Sequence, residues 1–246
     1  MKVLILAGGK GKRIEEISKE KNKCLIEIEK ISGKPLIEYS LDYIVGLSDI
    51  SEIVMVVGYK AEDIMSRYGD QYKGKLIKYV FQSEQKGLVH AIECAEKSIN
   101  GENFILMLGD ELMVRPRHIE MIEKFNKEGL FGVCGGVFVD DKNLVKKTYD
   151  IIKEKDDKIL RLVEKPSDPV NNIMGTGNCI FRNEIFDHIK ETLINPERGE
   201  KELAGLVQHA IDSGHTVKSF NICDKYFNIN HKEDLQEAKH FLTNLS

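Results

Sequence analysis

The segment LILAGGKGKR, residues 4–13, joins a short apolar run to a loop of glycines and cations. The apolar run predicts a buried β-strand, and the glycines let backbone N–H groups of the following loop approach anionic oxygens closely. Lysine and arginine in the same loop favour phosphate as the anion. Ligands of open α/β sheets bind at the carboxyl ends of the strands, where this loop would lie. Taken alone, the segment is also compatible with a solvated turn.

The loop does not match the two common nucleotide-binding fingerprints. The dinucleotide pattern G-x-G-x-x-G can begin at Gly9 and Gly11, but Ile14 stands at the third glycine position. The Walker A pattern G-x-x-x-x-G-K-[ST] is absent from this loop. A nicotinamide-dependent oxidoreductase is therefore disfavoured.

Apolar strands alternate with helical patterns over the first half of the chain. The strands are predicted at residues 3–7, 53–58, 76–82 and 103–110, and the helices at residues 35–47, 61–69, 87–99 and 116–129. Continuous apolar strands that alternate with helices predict a mostly parallel sheet covered on both faces. We therefore expect an α/β fold.

The second half is less regular but contains the same kinds of element. Strands are predicted at residues 131–139, 148–155, 158–166, 177–181, 216–220 and 226–229, and helices at residues 201–214 and 232–244. A tight turn at Asp156 and Asp157 is expected to join the second and third of these strands. No compositional break divides the 246 residues, so we expect a single domain over residues 1–246.

The composition disfavours several classes of function. A net charge of −4 gives no reason to expect nucleic acid or an anionic membrane as a partner. No apolar run approaches the roughly 18 residues of a membrane span. The five cysteines are scattered without a C-x-x-C pair, which is typical of reduced thiols in a cytoplasmic protein and disfavours a zinc site. The sequence gives no oligomeric state, and a homo-oligomer is compatible with it.

Seven further segments, taken with the glycine loop, resemble the signature of the sugar nucleotidyltransferases, which make nucleotide-sugars from a nucleoside triphosphate and a sugar 1-phosphate. They are GKPLIEY (33–39), QSEQKGLVHAI (82–92), LGD (108–110), EKP (164–166), GTGNCIF (175–181), RGE (198–200) and NINHKEDL (228–235). The resemblance implies a Rossmann-like, three-layer fold with a mixed, mostly parallel sheet. It also implies a nucleotide-binding half over residues 1–115 and an acceptor-binding half over residues 116–246.

The resemblance assigns the triphosphate to the glycine loop and to one lysine. The loop residues that would hold the nucleotide are Leu6, Ala7, Gly8, Gly9, Gly11 and Arg13. Arg13 would contact the leaving pyrophosphate, and Lys23 matches the family lysine that reaches the phosphates near the reacting centre. Asn22 and Cys24 replace the prolines that flank this lysine in the family, so we expect a less rigid loop here.

Two residues match the family positions that read the base. Gln82 would use its side-chain amide and Gly87 its backbone, and the local string QSEQKGLVHA resembles the uridylyltransferase version. A pyrimidine nucleotide, UTP or dTTP, is therefore favoured. Gln85 competes with Gln82 for the role, and Leu88 stands where the family has a small residue, which leaves the choice of base open. His90, on the helix that follows, is interpreted as a packing residue rather than a catalytic one.

The resemblance also implies Mg²⁺ as the cofactor, with Asp110 and Asn228 as its ligands. Asp110 ends an apolar strand at the carboxyl edge of the sheet, and carboxylate oxygens are ligands that Mg²⁺ prefers. Glu111 is the alternative at this point, but adjacent residues of a strand point to opposite faces. Asn228 stands where many relatives have a second aspartate, and its amide oxygen can still bind the metal. Asn230 is a nearby alternative.

The acceptor residues implied by the resemblance are Glu164, Lys165, Gly177 and Arg198. Glutamate accepts hydrogen bonds from sugar hydroxyls, and the cations would neutralise the sugar phosphate. The acceptor site also departs from the family most. Asp150 replaces the glycine of an R-Y-G motif, whose arginine is missing, and Gly175 stands where some uridylyltransferases have a sugar-binding asparagine. An amino sugar, a heptose or phosphocholine therefore remain alternatives to glucose 1-phosphate.

The sequence thus predicts an enzyme that transfers a nucleotidyl group to a sugar 1-phosphate and releases pyrophosphate. The main alternative is a cytidylyltransferase that acts on phosphocholine or a phosphonate. An alternative from another class is a non-catalytic nucleotide-sugar-binding protein, which would keep the base-reading loop and lose the metal ligands. Because the chain ends soon after its last predicted helix, we expect it to lack the β-helical acyltransferase extension of bifunctional relatives.

Overall fold

The computed structural model describes residues 1–11, 21–28 and 33–244. The strands of the first half are β1 (Lys2–Leu6), β2 (Ile53–Val57), β3 (Gln71–Tyr72), β4 (Lys75–Phe81), β5 (Phe104–Leu108) and β6 (Glu111–Val114). The helices of this half are α1 (Leu36–Val45), α2 (Ala61–Tyr68) and α3 (Leu88–Ile99). Strands β5, β1, β2 and β4 lie side by side in that order and are parallel. All residues of β2 are buried, as expected of a strand that is covered on both faces.

The second half adds antiparallel strands to this sheet. Its strands are β7 (Gly132–Phe138), β8 (Tyr149–Lys153), β9 (Ile159–Glu164), β10 (Ile173–Phe181), β11 (Ile194–Asn195), β12 (Glu200–Lys201), β13 (Val217–Asn221) and β14 (Lys225–Asn228), and its helices are α4 (His118–Lys127), α5 (Leu203–Asp212) and α6 (Lys232–Thr243). Within the described residues, the central sheet has the order β13-β7-β10-β5-β1-β2-β4-β3, and β8 and β9 branch from β10. The predicted α/β class with a mixed sheet is confirmed.

The two faces of the sheet bury separate apolar layers. Along β1, Val3 and Ile5 pack into the layer that holds α1, α2 and α4, whereas Leu4 packs into the layer that holds α3 and α5. This alternation follows from the two-residue period of a strand. Among the described residues, no helix has both the length and the apolar content needed to cross a bilayer.

Some strand boundaries differ from those predicted. Strand β10 begins at Ile173 rather than at residue 177, because Ile173, Met174 and Gly175 pair in register with β7 before the register shifts. The predicted turn between β8 and β9 is confirmed, and Asp157 takes a positive φ of 71° there.

The short strand β6 was not predicted, and it determines the geometry of the site. It pairs with β14 as a separate antiparallel ribbon in which Glu111 lies opposite Asn228. The ribbon therefore brings the end of β5 next to the segment that precedes α6.

A buried histidine joins α4 to β10. His118 is fully buried, and its Nε2 lies 3.0 Å from Oδ1 of Asn178. The Asn178 amide nitrogen donates to Glu111, so Oδ1 must accept from a protonated Nε2. Within the described part of the chain, Nδ1 of His118 has no hydrogen-bond partner. Burial therefore lowers the pKa of His118 to about 4, and the ring stays neutral at physiological pH.

We predict that His118 makes the free energy of unfolding fall as the pH falls from 6.5 towards 4. In that range His118 binds a proton in the unfolded chain but not in the folded chain. The shift corresponds to about 3 kcal/mol. Urea unfolding between pH 7.5 and 4.5 checks this with His118→Gln, which keeps an N–H donor but does not titrate. The variant should lose part of the acid sensitivity of the wild type, and parallel curves would contradict the assignment.

Candidate active site

One cavity of about 410 Å³ at the carboxyl edge of the sheet collects most of the residues expected from the sequence. The expected residues that line it are Leu6, Ala7, Gly8, Gly9, Lys23, Gln82, Gly87, Asp110, Glu164, Lys165, Gly177, Arg198 and Asn228. Gly11 is described but is not part of this lining, and Arg13 lies outside the described residues. The cavity therefore lies between the carboxyl ends of the parallel strands and residues of the second half of the chain.

The lysine segment is anchored by Asn22, one of the two residues for which the sequence led us to expect a less rigid loop. The Asn22 amide nitrogen donates to the carbonyl oxygens of Ala7 (3.2 Å) and Tyr59 (2.7 Å), and its amide oxygen accepts from the Cys24 N–H (2.9 Å). Asn22 is fully buried and begins the short 3₁₀ turn Lys23–Leu25. These hydrogen bonds take the place of the proline constraint that the family pattern has here.

The Lys23 ammonium lies in a cradle of side-chain oxygens. Its Nζ is 2.6 Å from Oδ2 of Asp110 and 3.1 Å from Oδ1 of Asn230. The Asn230 amide nitrogen donates in turn to Oδ1 of Asn228 at 2.7 Å. Lys23 is only 6% exposed, so these oxygens replace most of the hydration of its charge. One carboxylate oxygen and one amide oxygen thus contact the ammonium, and Asn228 supports the second of them through the Asn230 amide.

Glu111 has a different environment from its neighbour Asp110. It is buried, and it accepts hydrogen bonds from the Gly177 N–H (2.9 Å), the Asn178 amide (2.7 Å) and the Tyr226 hydroxyl. Burial is the main cause that raises the pKa of Glu111 to about 8. This carboxyl group therefore ties β6 to β10 and β14.

Just before α3, both glutamines that the sequence offered for base reading line the cavity but make different contacts. Gln82 is buried, and its Nε2 lies 3.0 Å from the Gly87 carbonyl oxygen and 3.1 Å from Nδ1 of His90. Gln85 is exposed and donates to the Gly8 carbonyl oxygen at 3.1 Å. Gln82 is therefore the more tightly held of the two.

A cluster of charges surrounds Arg198 at the end of the cavity that holds the residues expected to bind the acceptor, which we call the acceptor end. Its guanidinium lies 2.8 Å from carboxylate oxygens of Glu200 and Glu202 and 3.7 Å from Glu164. Burial first, and the neighbouring Glu202 carboxylate second, raise the pKa of Glu164 to about 7. Lys165 supplies a second positive charge and lowers this pKa in part.

Sequence reasoning missed three charged residues of this end, Lys147, Glu200 and Glu202, which all line the cavity. Glu200 belongs to the RGE motif, so its position was available as a signal. Lys147 pairs with Asp234 at 2.9 Å, and it precedes the threonine that replaces the missing family arginine. The motif comparison missed Lys147 because this residue lies one position before the residue aligned with the family arginine.

The structure also corrects the expectation of an acid in the acceptor pocket at residue 150. Asp150 is fully buried and lies outside the cavity lining, where its Oδ2 accepts the Val170 N–H at 2.6 Å. The neighbouring Tyr149 lines the cavity instead, and its hydroxyl donates to the Thr176 carbonyl oxygen at 2.7 Å. A Cβ on Gly175 would lie 2.1 Å from the Tyr149 ring, so this glycine leaves room for the ring.

The comparison with known proteins shows the class of this molecule. The nucleotidyl transferase family profile matches residues 2–244, and the chain belongs to this family. It is similar to a UTP–glucose-1-phosphate uridylyltransferase of Haloferax volcanii, with 32% identity over 97% of this chain and 95% of that protein. It is 29% identical to a glucose-1-phosphate thymidylyltransferase of Streptomyces antibioticus, over 90% of this chain and 60% of that protein. The expected class of enzyme, a sugar nucleotidyltransferase, is thereby confirmed.

The architecture also matches a solved structure. A UDP-glucose pyrophosphorylase complexed with UDP-glucose superimposes with a TM-score of 0.87, at 22% identity, over 100% of this chain and 99% of that one. At this identity the likeness concerns the fold, and it confirms the Rossmann-like type that the sequence led us to expect.

We predict that Gly177→Ala destabilises the protein by about 1–3 kcal/mol, because the site has no room for a methyl group. A Cβ there would lie 2.3 Å from Cγ of Leu108 and 2.8 Å from the Glu111 carboxyl oxygen. Gly205→Ala is the matched control, since the nearest side-chain atom to its Cβ is the Thr192 methyl at 3.6 Å. The control lies on an exposed turn of α5 and should gain about 0.5–1 kcal/mol. Equal unfolding free energies for the two variants would contradict the packing argument.

Proposed function

We propose that this protein transfers the uridylyl group of UTP to glucose 1-phosphate with Mg²⁺ as cofactor, and releases pyrophosphate. The observation that carries the proposal is the single cavity, in which a base loop, a lysine–carboxylate pair and an acceptor cluster face one space. The uridylyltransferase of Haloferax volcanii, similar over nearly the whole chain, supports UTP and glucose 1-phosphate as the first substrates to test.

In the proposed reaction, a phosphate oxygen of the sugar 1-phosphate attacks the α-phosphorus of UTP. A P–O bond forms as the bond to the β-phosphate oxygen breaks, and pyrophosphate leaves with the electron pair. The attacking phosphate is already ionised at neutral pH, so no general base is required. The protein's task is to position both substrates and to neutralise their charge, which is the role proposed for Lys23 and for Arg13 of the glycine loop.

The residues around Lys23 suit a magnesium ion. Asp110 supplies a carboxylate, and Asn228 and Asn230 supply amide oxygens, the ligand type that Mg²⁺ prefers alongside substrate phosphates. We propose that these three residues hold the ion, which when bound would neutralise phosphate charge. Both oxygens of Glu111 instead accept from neutral donors, the Gly177 N–H, the Asn178 amide and the Tyr226 hydroxyl, which tie this residue to β10 and β14.

The acceptor end supports a hexose phosphate over phosphocholine. Glu164 would receive sugar hydroxyls, the backbone at Gly177 would lie against the sugar, and Lys165 and Arg198 would receive the phosphate. A quaternary amine favours free acids and aromatic faces. The acids of this end are not free, because Glu164, Glu200 and Glu202 surround the Arg198 guanidinium. The Tyr149 ring is only 4% exposed. The retained Lys23–Asp110 pair likewise supports an enzyme over a non-catalytic binding protein.

The remaining parts of the proposal concern organisation and location. We propose that residues 1–115 bind the nucleotide and residues 116–246 bind the acceptor within one domain, since Gln82 and Glu164 lie on opposite sides of this division. A reducing cytoplasmic location is supported by the cysteines, which are free thiols: Cys24, Cys94, Cys134, Cys179 and Cys223.

We expect pyrophosphate release with Mg²⁺, UTP and glucose 1-phosphate. The measurement is a grid of ATP, GTP, CTP, UTP and dTTP against glucose, N-acetylglucosamine, mannose, galactose and heptose 1-phosphates, with phosphocholine as a further acceptor. Turnover with CTP and phosphocholine alone would replace the proposal with the cytidylyltransferase, and silence with bound nucleotide would support the binding protein.

Asp110→Asn should lower turnover about 10²–10³-fold, by analogy with the loss of one preorganised electrostatic contact. Because Asp110 also pairs with the buried Lys23 ammonium, the unfolding free energy should fall as well, so turnover is compared under conditions in which both proteins are shown to be folded. Asp212→Asn, at the exposed end of α5, is the matched control and should retain wild-type turnover. Near-normal turnover of Asp110→Asn at saturating Mg²⁺ would remove Asp110 from the mechanism.

A further inference from the structure

The base-reading glutamine has a second anchor that the reaction itself does not require. His90 lies on α3, three residues after Gly87, and its Nδ1 is 3.1 Å from Nε2 of Gln82. We propose that His90 is a positioning residue that holds the Gln82 carboxamide in one orientation and thereby selects uracil or thymine over cytosine. This inference rests on the proposed function.

The hydrogen-bond partners of Gln82 determine which end of its amide faces the loop. The Gly87 carbonyl oxygen, 3.0 Å away, can only accept, so the group that faces it must be the NH₂ of Gln82. The second hydrogen of the same NH₂ points to Nδ1 of His90, which must therefore be an acceptor. The imidazole proton then resides on Nε2, which faces Sγ of Cys94 at 3.8 Å. These contacts are mutually consistent with a neutral ring.

The orientation leaves the Gln82 oxygen as the group available to a ligand. Both amide hydrogens are committed to Gly87 and His90, and Oε1 lies 3.2 Å from the place that a Cβ on Gly8 would occupy, at the cavity wall. Uracil and thymine present an N3–H donor that suits such an acceptor. Cytosine in the same pose presents an unprotonated N3, which would place two lone pairs against each other.

Recognition of cytosine in that pose would require the amide to rotate. The rotation breaks the hydrogen bond to Gly87 and leaves that carbonyl oxygen facing the Gln82 oxygen. It also requires His90 to move its proton from Nε2, which faces Cys94, to Nδ1. His90 is well placed to resist this rotation because its neighbours on α3, Val89 and Ile92, are fully buried in the core. His90, which the sequence analysis interpreted as a packing residue, therefore stabilises one orientation of the Gln82 carboxamide.

The experiment measures kcat/KM for UTP and for CTP with glucose 1-phosphate. His90→Leu should lower the UTP:CTP ratio about tenfold, as expected for the loss of one of two hydrogen bonds that oppose rotation. The change should arise mainly from a lower KM for CTP, because the variant needs less free energy for the rotation that cytosine requires, and the base does not take part in bond breaking. His90→Asn should restore most of the ratio, because its Oδ1 can accept in place of Nδ1.

His209→Leu is the matched control, since it removes another partly buried helical histidine whose Nδ1 contacts a side chain, that of His188, at 3.1 Å. Its UTP:CTP ratio should equal that of the wild type. His90→Met provides a second variant without an acceptor if His90→Leu does not fold.

An unchanged ratio in the acceptor-free variants, or a ratio in His90→Asn as low as theirs, would overturn the role of His90. Absence of wild-type turnover with UTP or dTTP would instead overturn the proposed function, so the two failures are distinguishable.

Discussion

The site depends on the burial of one charged group, the Lys23 ammonium. A lysine withdrawn from water is costly unless other groups replace its hydration, and here Asp110 and Asn230 do so at 2.6 and 3.1 Å. The three residues come from a 3₁₀ turn near the start of the chain, the end of β5 and the segment after β14. The contacts that pair the Lys23 charge therefore bring together three segments that are far apart in the sequence. The β6–β14 ribbon supplies the backbone pairing that makes the approach possible.

Asp110 and Glu111, adjacent acids between β5 and β6, have different roles because their surroundings differ. Asp110 lies beside a cation, whereas Glu111 is enclosed by donors from β10 and β14 and has its pKa raised to about 8 by burial. Burial raises the pKa of Glu111, whereas the hydrogen bonds from Tyr226 and Gly177 favour its charged form, and the carboxyl group connects the strands through these bonds. The proposed metal site can thus have a single strong carboxylate without losing the structural function of its neighbour.

The sequence predicted the parallel core well, because strands such as β1 and β2 are continuous apolar runs between clear helical patterns. It did not predict β6, because four residues that follow a turn show no period of their own. The glycines before Cys179 hid the start of β10. Asp150 was placed in the pocket on motif alignment alone, and its orientation depends on the loop that contains Val170, a contact far along the chain. Motif spacing selected residues that mostly line one cavity, but it carried no information on which oxygen or nitrogen is already engaged.

The charged groups around Arg198 show why the engagement of side-chain atoms matters for the chemistry. Around Arg198, three carboxylates face two cations, and the pKa of Glu164 is raised to about 7, so its charge is only partly present at neutral pH. Under the proposed function, a sugar phosphate adds negative charge beside Glu164 and favours the protonated carboxyl further. A protonated Glu164 can donate a hydrogen bond to a sugar hydroxyl as well as accept one. The same proton lessens the competition that the carboxylates offer to the phosphate for Arg198, so acceptor binding and proton uptake would be coupled at this one residue.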